Sequence, residues 1–212
     1  MRYSREGSEF DRAITFIDAT FAVALTLLIT SLDIENRSKA FKSLSALYAA
    51  VGPQFLAFLI AFAVIAGYWF GHHRMVAGFV AIDDRTLVAN LFLLAAIVLL
   101  PFTTSAVGDP GVADLPLPTA LMAVDMAVIS VLFTVVWVMA ARGGLLDHKR
   151  STQEQLQRAA GGLAPTVVFL VSVPIAYLAA PYVARLSWLS LLVINPMARA
   201  LAARIDGTRN TT

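Results

Sequence analysis

The sequence contains no cysteine and few charged residues. The absence of cysteine excludes disulfides, thiolate metal sites and thiol catalysis. Charged residues make up only 14% of the chain, whereas soluble domains carry about 25%. Neither sign dominates, since the chain has 16 basic and 14 acidic residues. This composition excludes disordered, coiled-coil and nucleic-acid-binding proteins, and it fits an ordinary soluble enzyme poorly.

Apolar residues are abundant instead, at 58% of 212 residues. The apolar runs are continuous and rich in Ala and Leu, which favours helices over alternating strands. A spanning helix needs about 20 mostly apolar residues, so the gaps between charges locate the spans. They predict an all-α membrane protein with six transmembrane helices in a single domain, residues 1–212. The helices lie at about 12–34, 44–74, 85–107, 116–141, 157–180 and 182–204.

The basic residues are distributed unevenly about these spans. Twelve of the 16 lie on the side that holds both termini, among them Arg12, Arg74 and Arg142. Because cytoplasmic loops are enriched in Lys and Arg, both termini are predicted to be cytoplasmic. The loops are short and lack Walker, GxGxxG and HExxH patterns. We therefore expect a multi-pass membrane protein that is not an enzyme and has no organic cofactor or resident metal.

The first predicted helix carries a stripe of small, apolar and threonine residues. At about 100° per residue, one face holds Phe16, Ala19, Thr20, Val23, Leu27 and Thr30. Asp18 faces away from this stripe, and Thr26, Thr30 and Asp33 form a polar edge beside it. Such a stripe fits a pore lining, but small and Thr residues also pack against neighbouring helices. On the pattern alone, packing is the commoner explanation.

Ionisable residues inside spans are expensive and are therefore functional candidates. Arg12 and Asp18 project about 240° apart around the helix. They therefore do not pair with each other, and each needs another partner. His72 and His73 are adjacent, and their divergent directions argue against a shared metal. We expect one of the two to hydrogen-bond a buried carboxylate such as Asp18. Asp125, inside the fourth predicted helix, should face protein or water.

Several of these residues carry a family resemblance. The segment from Arg12 through Phe16 and Asp18 resembles the RxxxFSD signature, with its following helix, of the transmembrane protein 175 family of potassium channels. Residues 69–74 on the second helix and residues 90–103 on the third resemble further motifs of that family in the same order. The likeness covers roughly residues 12–108 in motif detail and extends to the whole chain in helix count.

The resemblance implies a function that composition does not. Members are potassium-permeable channels without a TVGYG filter, and bacterial-type members with one six-helix repeat resemble homotetramers in the plasma membrane. The first helix then lines a central pore for monovalent cations. The positions of the family's apolar rings fall on Val23, Leu27 and Thr30, and the position of a threonine that the family uses for potassium preference falls on Thr26. The implied structural polar network comprises Arg12, Phe16, Asp18, Trp69, His73 and Asn90.

Three positions depart from the family pattern. Ile17 replaces the signature serine, Val23 replaces isoleucine, and Thr30 replaces a large aliphatic residue. Since valine is smaller and threonine is polar, the constriction should be wider or wetter than in a typical member. Asp33, near the outer mouth, is expected to concentrate cations electrostatically.

Two other functions remain open at this stage. One is a proton-coupled secondary transporter that uses Asp18, Asp125 and His73, although no inverted repeat with matched helix breaks is evident in the sequence. The other is a membrane subunit without transport of its own. In each case the expected partners are membrane lipid and copies of the chain itself.

Overall fold

The computed structural model of the chain describes residues 1–34, 37–147 and 152–191, without the side chains of residues 152–162. Helices dominate this part of the chain. The α-helices are α1 (Ser8–Leu27), α2 (Arg37–Ala40), α3 (Leu44–Val76), α4 (Asp84–Gly108), α5 (Pro116–Arg142), α6 (Thr152–Leu178) and α7 (Pro181–Ser187). Two 3-10 segments follow α1 and α7, at Leu28–Ser31 and Trp188–Ser190. Two short strands, β1 (Arg2–Ser4) and β2 (Ala81–Asp83), complete the elements.

Four helices are long and apolar enough to cross a membrane. They are α1 with its 3-10 extension, α3, α4 and α5. The predicted helices 44–74, 85–107 and 116–141 correspond to α3, α4 and α5, with ends that differ by no more than two residues. The chain is therefore a multi-pass membrane protein, because charged residues mark the ends of these helices and the runs between them are too apolar for water.

The first predicted helix, 12–34, differs from α1 in its ending. The α-helix stops at Leu27 and tightens into the 3-10 segment, Leu28–Ser31. The hydroxyls of Thr30 and Ser31 donate to the carbonyls of Leu27 and Leu28, at 2.6 and 2.7 Å. Hydroxyl groups that bond to carbonyls of the preceding turn compete with the helical ladder, and here they accompany the change from α-helix to 3-10 geometry.

The last two predicted helices compare less simply with the structure. Helix 157–180 corresponds to α6, which begins five residues earlier at Thr152. Helix 182–204 is not one continuous α-helix at its start, because α7 ends at Ser187 and a 3-10 turn follows. Residues 192–204 of that prediction lie outside the described part of the chain.

A small sheet closes one end of the helix bundle. β1 pairs antiparallel with β2 in the register Tyr3↔Ile82, and Phe79 forms a bridge with Leu146. The segment before α1, the α3–α4 loop and the α5–α6 loop therefore meet at this end. Strands of three residues are too short to show an alternating pattern, so the sequence did not predict them.

α4 and α5 form the centre of the bundle. α4 contacts α1, α3 and α5, and α5 also contacts α6. Leu93, Ile97 and Leu100 of α4 are fully buried, as is Ile129 of α5. At the end opposite the sheet, the Arg185 guanidinium donates to the carbonyls of Val107 and Ala113. This contact ties α7 to the end of α4 and to the α4–α5 loop.

Candidate functional site

α1 has two faces with opposite surroundings. Ile17, Phe21, Ala24 and Leu28 recur at helical spacing and are at most 2% exposed. The face on the other side holds Phe16, Val23 and Leu27, which are 57%, 52% and 39% exposed. Thr26 and Thr30 are exposed as well. The stripe identified in the sequence therefore lies on the face of α1 that no helix in the described part of the chain covers.

The threonine hydroxyls on α1 are already committed as donors. Thr26 Oγ1 donates to the Val23 carbonyl at 2.8 Å, and Thr30 Oγ1 donates to the Leu27 carbonyl at 2.6 Å. A hydroxyl oxygen keeps acceptor lone pairs after donating its proton. In a 3-10 segment residues three apart eclipse one another, so Thr30 stands almost in line with Leu27. The exposed face thus alternates apolar side chains with oxygen acceptors.

Asp33 follows the end of the 3-10 segment. It is exposed, and its backbone N–H donates to Gln54 Oε1 of α3 at 2.9 Å. This bond anchors the end of the α1 segment to α3. The backbone of Asp33 is therefore held beside α3, and its exposed carboxylate follows Thr30 in the chain.

Asp18 is held by a tryptophan of α3. Trp69 Nε1 donates to Asp18 Oδ1 at 3.0 Å, and the Trp69 ring lies against the His73 ring with centroids 5.6 Å apart. The expected histidine partner is thus wrong, since the hydrogen bond comes from the indole. Trp69 and His73 are four residues apart and share one face of α3, and of the two it is the indole that lies against the carboxylate.

His72 makes the second interhelical contact, and the implied network did not include it. Its Nε2 lies 2.8 Å from Asn90 Oδ1, and Asn90 Nδ2 donates to the Thr86 carbonyl at 2.8 Å. Because Asn90 Oδ1 can only accept, Nε2 of His72 carries the proton. His72 is 1% exposed and continues the buried face of α3 that includes Ala61 and Ile65. The helical spacing of Ala61, Ile65 and His72 was the pattern in the sequence that could have indicated a buried His72.

Arg12 and Phe16 stand apart from these contacts. Arg12 pairs with Glu9 at 2.9 Å, and both side chains are exposed. Both Arg12 and Phe16 line a groove of about 670 Å³ between α1 and α4, with Asn90 and Leu91 on its other side. The structure thus joins Asp18 to Trp69, whose ring lies against His73. It separately joins Asn90 to His72. Arg12 and Phe16 belong to neither group and face an open groove.

Asp125 lies inside the bundle, as its position in the sequence predicted. It is 8% exposed, and its Oδ2 has no hydrogen-bond partner among the described residues. Thr103 of α4 lies nearby, but its hydroxyl donates to the Leu100 carbonyl at 3.1 Å. Tyr68 bonds to Ser130 nearby on α5, at 2.9 Å. Asp125 is therefore part of a separate polar cluster between α3, α4 and α5, away from the exposed face of α1.

Residues 12–101 match the profile of the family described as endosomal/lysosomal potassium channel TMEM175. A protein named a potassium channel from Chamaesiphon minutus is 30% identical over 105 residues, which cover 49% of this chain and 52% of the relative. The matched part thus spans about half of that relative. A protein named a potassium channel from Streptomyces collinus is 24% identical over 82% of this chain and 85% of its own length.

The fold is similar as well. The crystal structure of a lysosomal potassium-selective channel TMEM175 homologue from Chamaesiphon minutus superposes with a TM-score of 0.74 at 22% identity. The superposition covers 90% of this chain and 97% of that one. The resemblance drawn from residues 12–108 is confirmed by the family match over residues 12–101, and the likeness of fold extends over 90% of the chain.

Proposed function

Because residues 12–101 match the profile of the potassium channel TMEM175 family, we propose that this chain forms a potassium-permeable cation channel. Conduction is passive and runs through a central pore surrounded by the α1 helices of four identical subunits. The sheet end of the bundle lies in the cytoplasm together with both termini. The residues named below act by position and polarity and perform no covalent chemistry.

The observation that carries this proposal is the exposed face of α1. In an 18-residue apolar stretch of each helix, 22% of the residues of α1 and 11% of those of α3 are buried, whereas 56% of those of α4 are buried. A helix beside the central α4 that leaves one face uncovered has that face available for a pore or a second subunit. Val23 and Leu27 on this face would form the apolar constriction, which can close by dewetting.

The oxygen atoms on the same face suit a permeant cation. Thr26 and Thr30 donate their hydroxyl protons to backbone carbonyls, so their lone pairs are free to accept contacts from a partly hydrated ion. The Asp33 carboxylates would raise the local cation concentration at the outer mouth. With valine at 23 and threonine at 30, the constriction should be wetter than one built only from large aliphatic residues.

The interhelical contacts of α1 hold this face in position. Asp18 of α1 is fixed by Trp69 of α3, and the two helices against which α1 packs, α3 and α4, are joined to each other by His72 and Asn90. We propose that Arg12 and Phe16, which face the groove between α1 and α4, complete the polar network through the neighbouring subunit. In this arrangement the buried side of α1 is tied to α3 and α4, so that Leu27 keeps its direction.

Ion flux through reconstituted protein tests the constriction. In liposomes with a potassium gradient, Leu27→Ala should raise the flux several-fold, and Leu27→Trp should reduce it strongly, because the two changes widen and narrow the same ring. Leu99 provides a matched control, as it is an exposed apolar residue of α4. Leu99→Ala and Leu99→Trp should leave the flux close to that of the unchanged protein.

The same experiment separates the alternatives. Similar, small effects of both Leu27 substitutions would contradict a constriction at this position. A reversal potential that depends on the potassium and the proton gradients together would instead indicate a proton-coupled transporter. Absence of flux from correctly folded protein would favour a subunit without transport of its own.

A further inference from the structure

A second site lies at the sheet end of the bundle, where α4 begins and α5 ends. A notch of about 220 Å³ opens there, lined by Asp83, Arg85, Thr86, Met139, Arg142 and Gly143. The notch is away from the exposed face of α1, and no residue of the proposed pore lines it. Its floor is formed by the first turn of α4 and the last turn of α5.

The charges in the notch favour an anion. Arg85 and Arg142 are exposed, and neither has an ion-pair or hydrogen-bond partner among the residues the structure describes. The single carboxylate, Asp83, already accepts the Thr86 backbone N–H at 2.8 Å as the cap of α4. Two guanidinium groups at one opening match the oxygens of a phosphate, which arginine binds through paired donors.

Apolar rows lead from the notch towards the middle of the membrane. On α4, Val88 and Phe92 lie three and seven residues beyond Arg85 and therefore share its face. Both are exposed, at 51% and 63%. On α5, Val135 lies seven residues before Arg142 on the same face and is also exposed. A free phosphate makes no use of such rows, whereas the acyl chains of a phospholipid fit along them.

We propose that this notch binds an anionic phospholipid. The phosphate lies between Arg85 and Arg142, and the acyl chains follow the exposed faces of α4 and α5. A headgroup without a cation fits better than a zwitterionic one, since the notch has two guanidinium groups and only one carboxylate, Asp83, and an added ammonium would be repelled by the excess positive charge. This inference depends on the membrane placement of α4 and α5 and does not depend on ion conduction.

Native mass spectrometry of the full chain in detergent measures this binding directly. Titration with phosphatidylglycerol should give a dissociation constant that rises about tenfold for each of Arg85→Gln and Arg142→Gln, as expected when one charge-assisted contact is lost. Arg74→Gln is the matched control, because Arg74 is an exposed arginine at the same end of the bundle that does not line the notch. Its affinity should remain unchanged.

Two further probes define the ligand. Phosphatidylcholine should bind at least tenfold more weakly than phosphatidylglycerol, and glycerol phosphate, which has no acyl chains, should not compete. Equal affinity for the two lipids, or an equal loss in Arg74→Gln, would overturn the proposal. Competition by glycerol phosphate at the same concentration as the lipid would also overturn it, because the site would then recognise a free phosphate.

Discussion

Asp18 shows how far single residues can be interpreted from sequence. Its direction away from Phe16, Val23 and Leu27 followed from helical geometry, and the structure agrees with it. Its partner did not follow, because Trp69 and His73 share a face of α3 and both can donate to a carboxylate. Which side chain reaches Asp18 depends on how deeply α1 and α3 approach each other, and the sequence does not contain that distance.

The Trp69–Asp18 hydrogen bond gives a prediction at this scale. Trp69→Phe keeps most of the apolar ring but removes the N–H that donates to Asp18. The half-buried carboxylate then lacks its partner, which costs about 1–3 kcal/mol. Thermal unfolding of the purified protein in detergent should therefore show a clearly lower transition temperature.

Trp188→Phe is the control for this change. Trp188 Nε1 donates to the neutral Ser172 hydroxyl at 2.9 Å, and hydrogen bonds to charged groups are roughly twice as strong as neutral ones. The loss of stability should thus be smaller than for Trp69→Phe. A larger loss for Trp188→Phe would show that the charge of Asp18 does not matter for the contact.

At the scale of elements, long apolar runs were predictable and short connections were not. The bounds of α3, α4 and α5 followed from the positions of charged residues, since the membrane allows few charges between the ends of a span. The 3-10 ending of α1 depends on hydroxyl groups that bond locally. The β1–β2 pairing depends on two segments almost 80 residues apart in sequence, and no local pattern records that contact.

The caps of α4 and α3 provide a prediction about pH. Asp83 Oδ1 accepts the Thr86 N–H at the start of α4. Partial burial raises the pKa of this carboxyl, but the hydrogen bonds from Thr86 and the nearby positive charges outweigh it and hold the pKa below its usual value of 3.8. Since the folded-state pKa is the lower one, the contribution to stability is complete above about pH 4 and is lost as the pH falls through the folded-state pKa.

Asp83→Ala should therefore destabilise the protein by about 1 kcal/mol at neutral pH, with a difference from the unchanged protein that shrinks in acid. Ser43 is the matched control, because its hydroxyl caps α3 by accepting the Ala46 N–H at 3.1 Å and does not titrate. Ser43→Ala should cost a similar amount at every pH. Thermal unfolding measured between pH 3 and pH 7 compares the two, and parallel profiles would contradict the role of the Asp83 charge.

For the molecule as a whole, the structure groups the chain segments by end. The β1–β2 sheet and the Phe79–Leu146 bridge bring the segment before α1 together with the loops after α3 and α5. Arg185 contacts the opposite end, at Val107 and Ala113. The sequence predicted the same grouping from its basic residues. α1 and α3 each leave a face that the described residues do not cover, and the sequence of one chain does not state what covers these faces.

The orientation in the membrane is the last prediction. The positive-inside bias predicts that the sheet end lies in the cytoplasm and the α4–α5 loop lies outside.

Because the chain has no cysteine, a single introduced cysteine reports its own location without background labelling. Glu6→Cys and Asp114→Cys form a matched pair, as each replaces an exposed acidic residue. In intact cells, a membrane-impermeant thiol reagent should label the Asp114→Cys protein alone, and permeabilised cells should show labelling of both. Labelling of Glu6→Cys in intact cells would show that the sheet end lies outside, and the positions assigned to Asp33 and the phospholipid notch would then exchange sides.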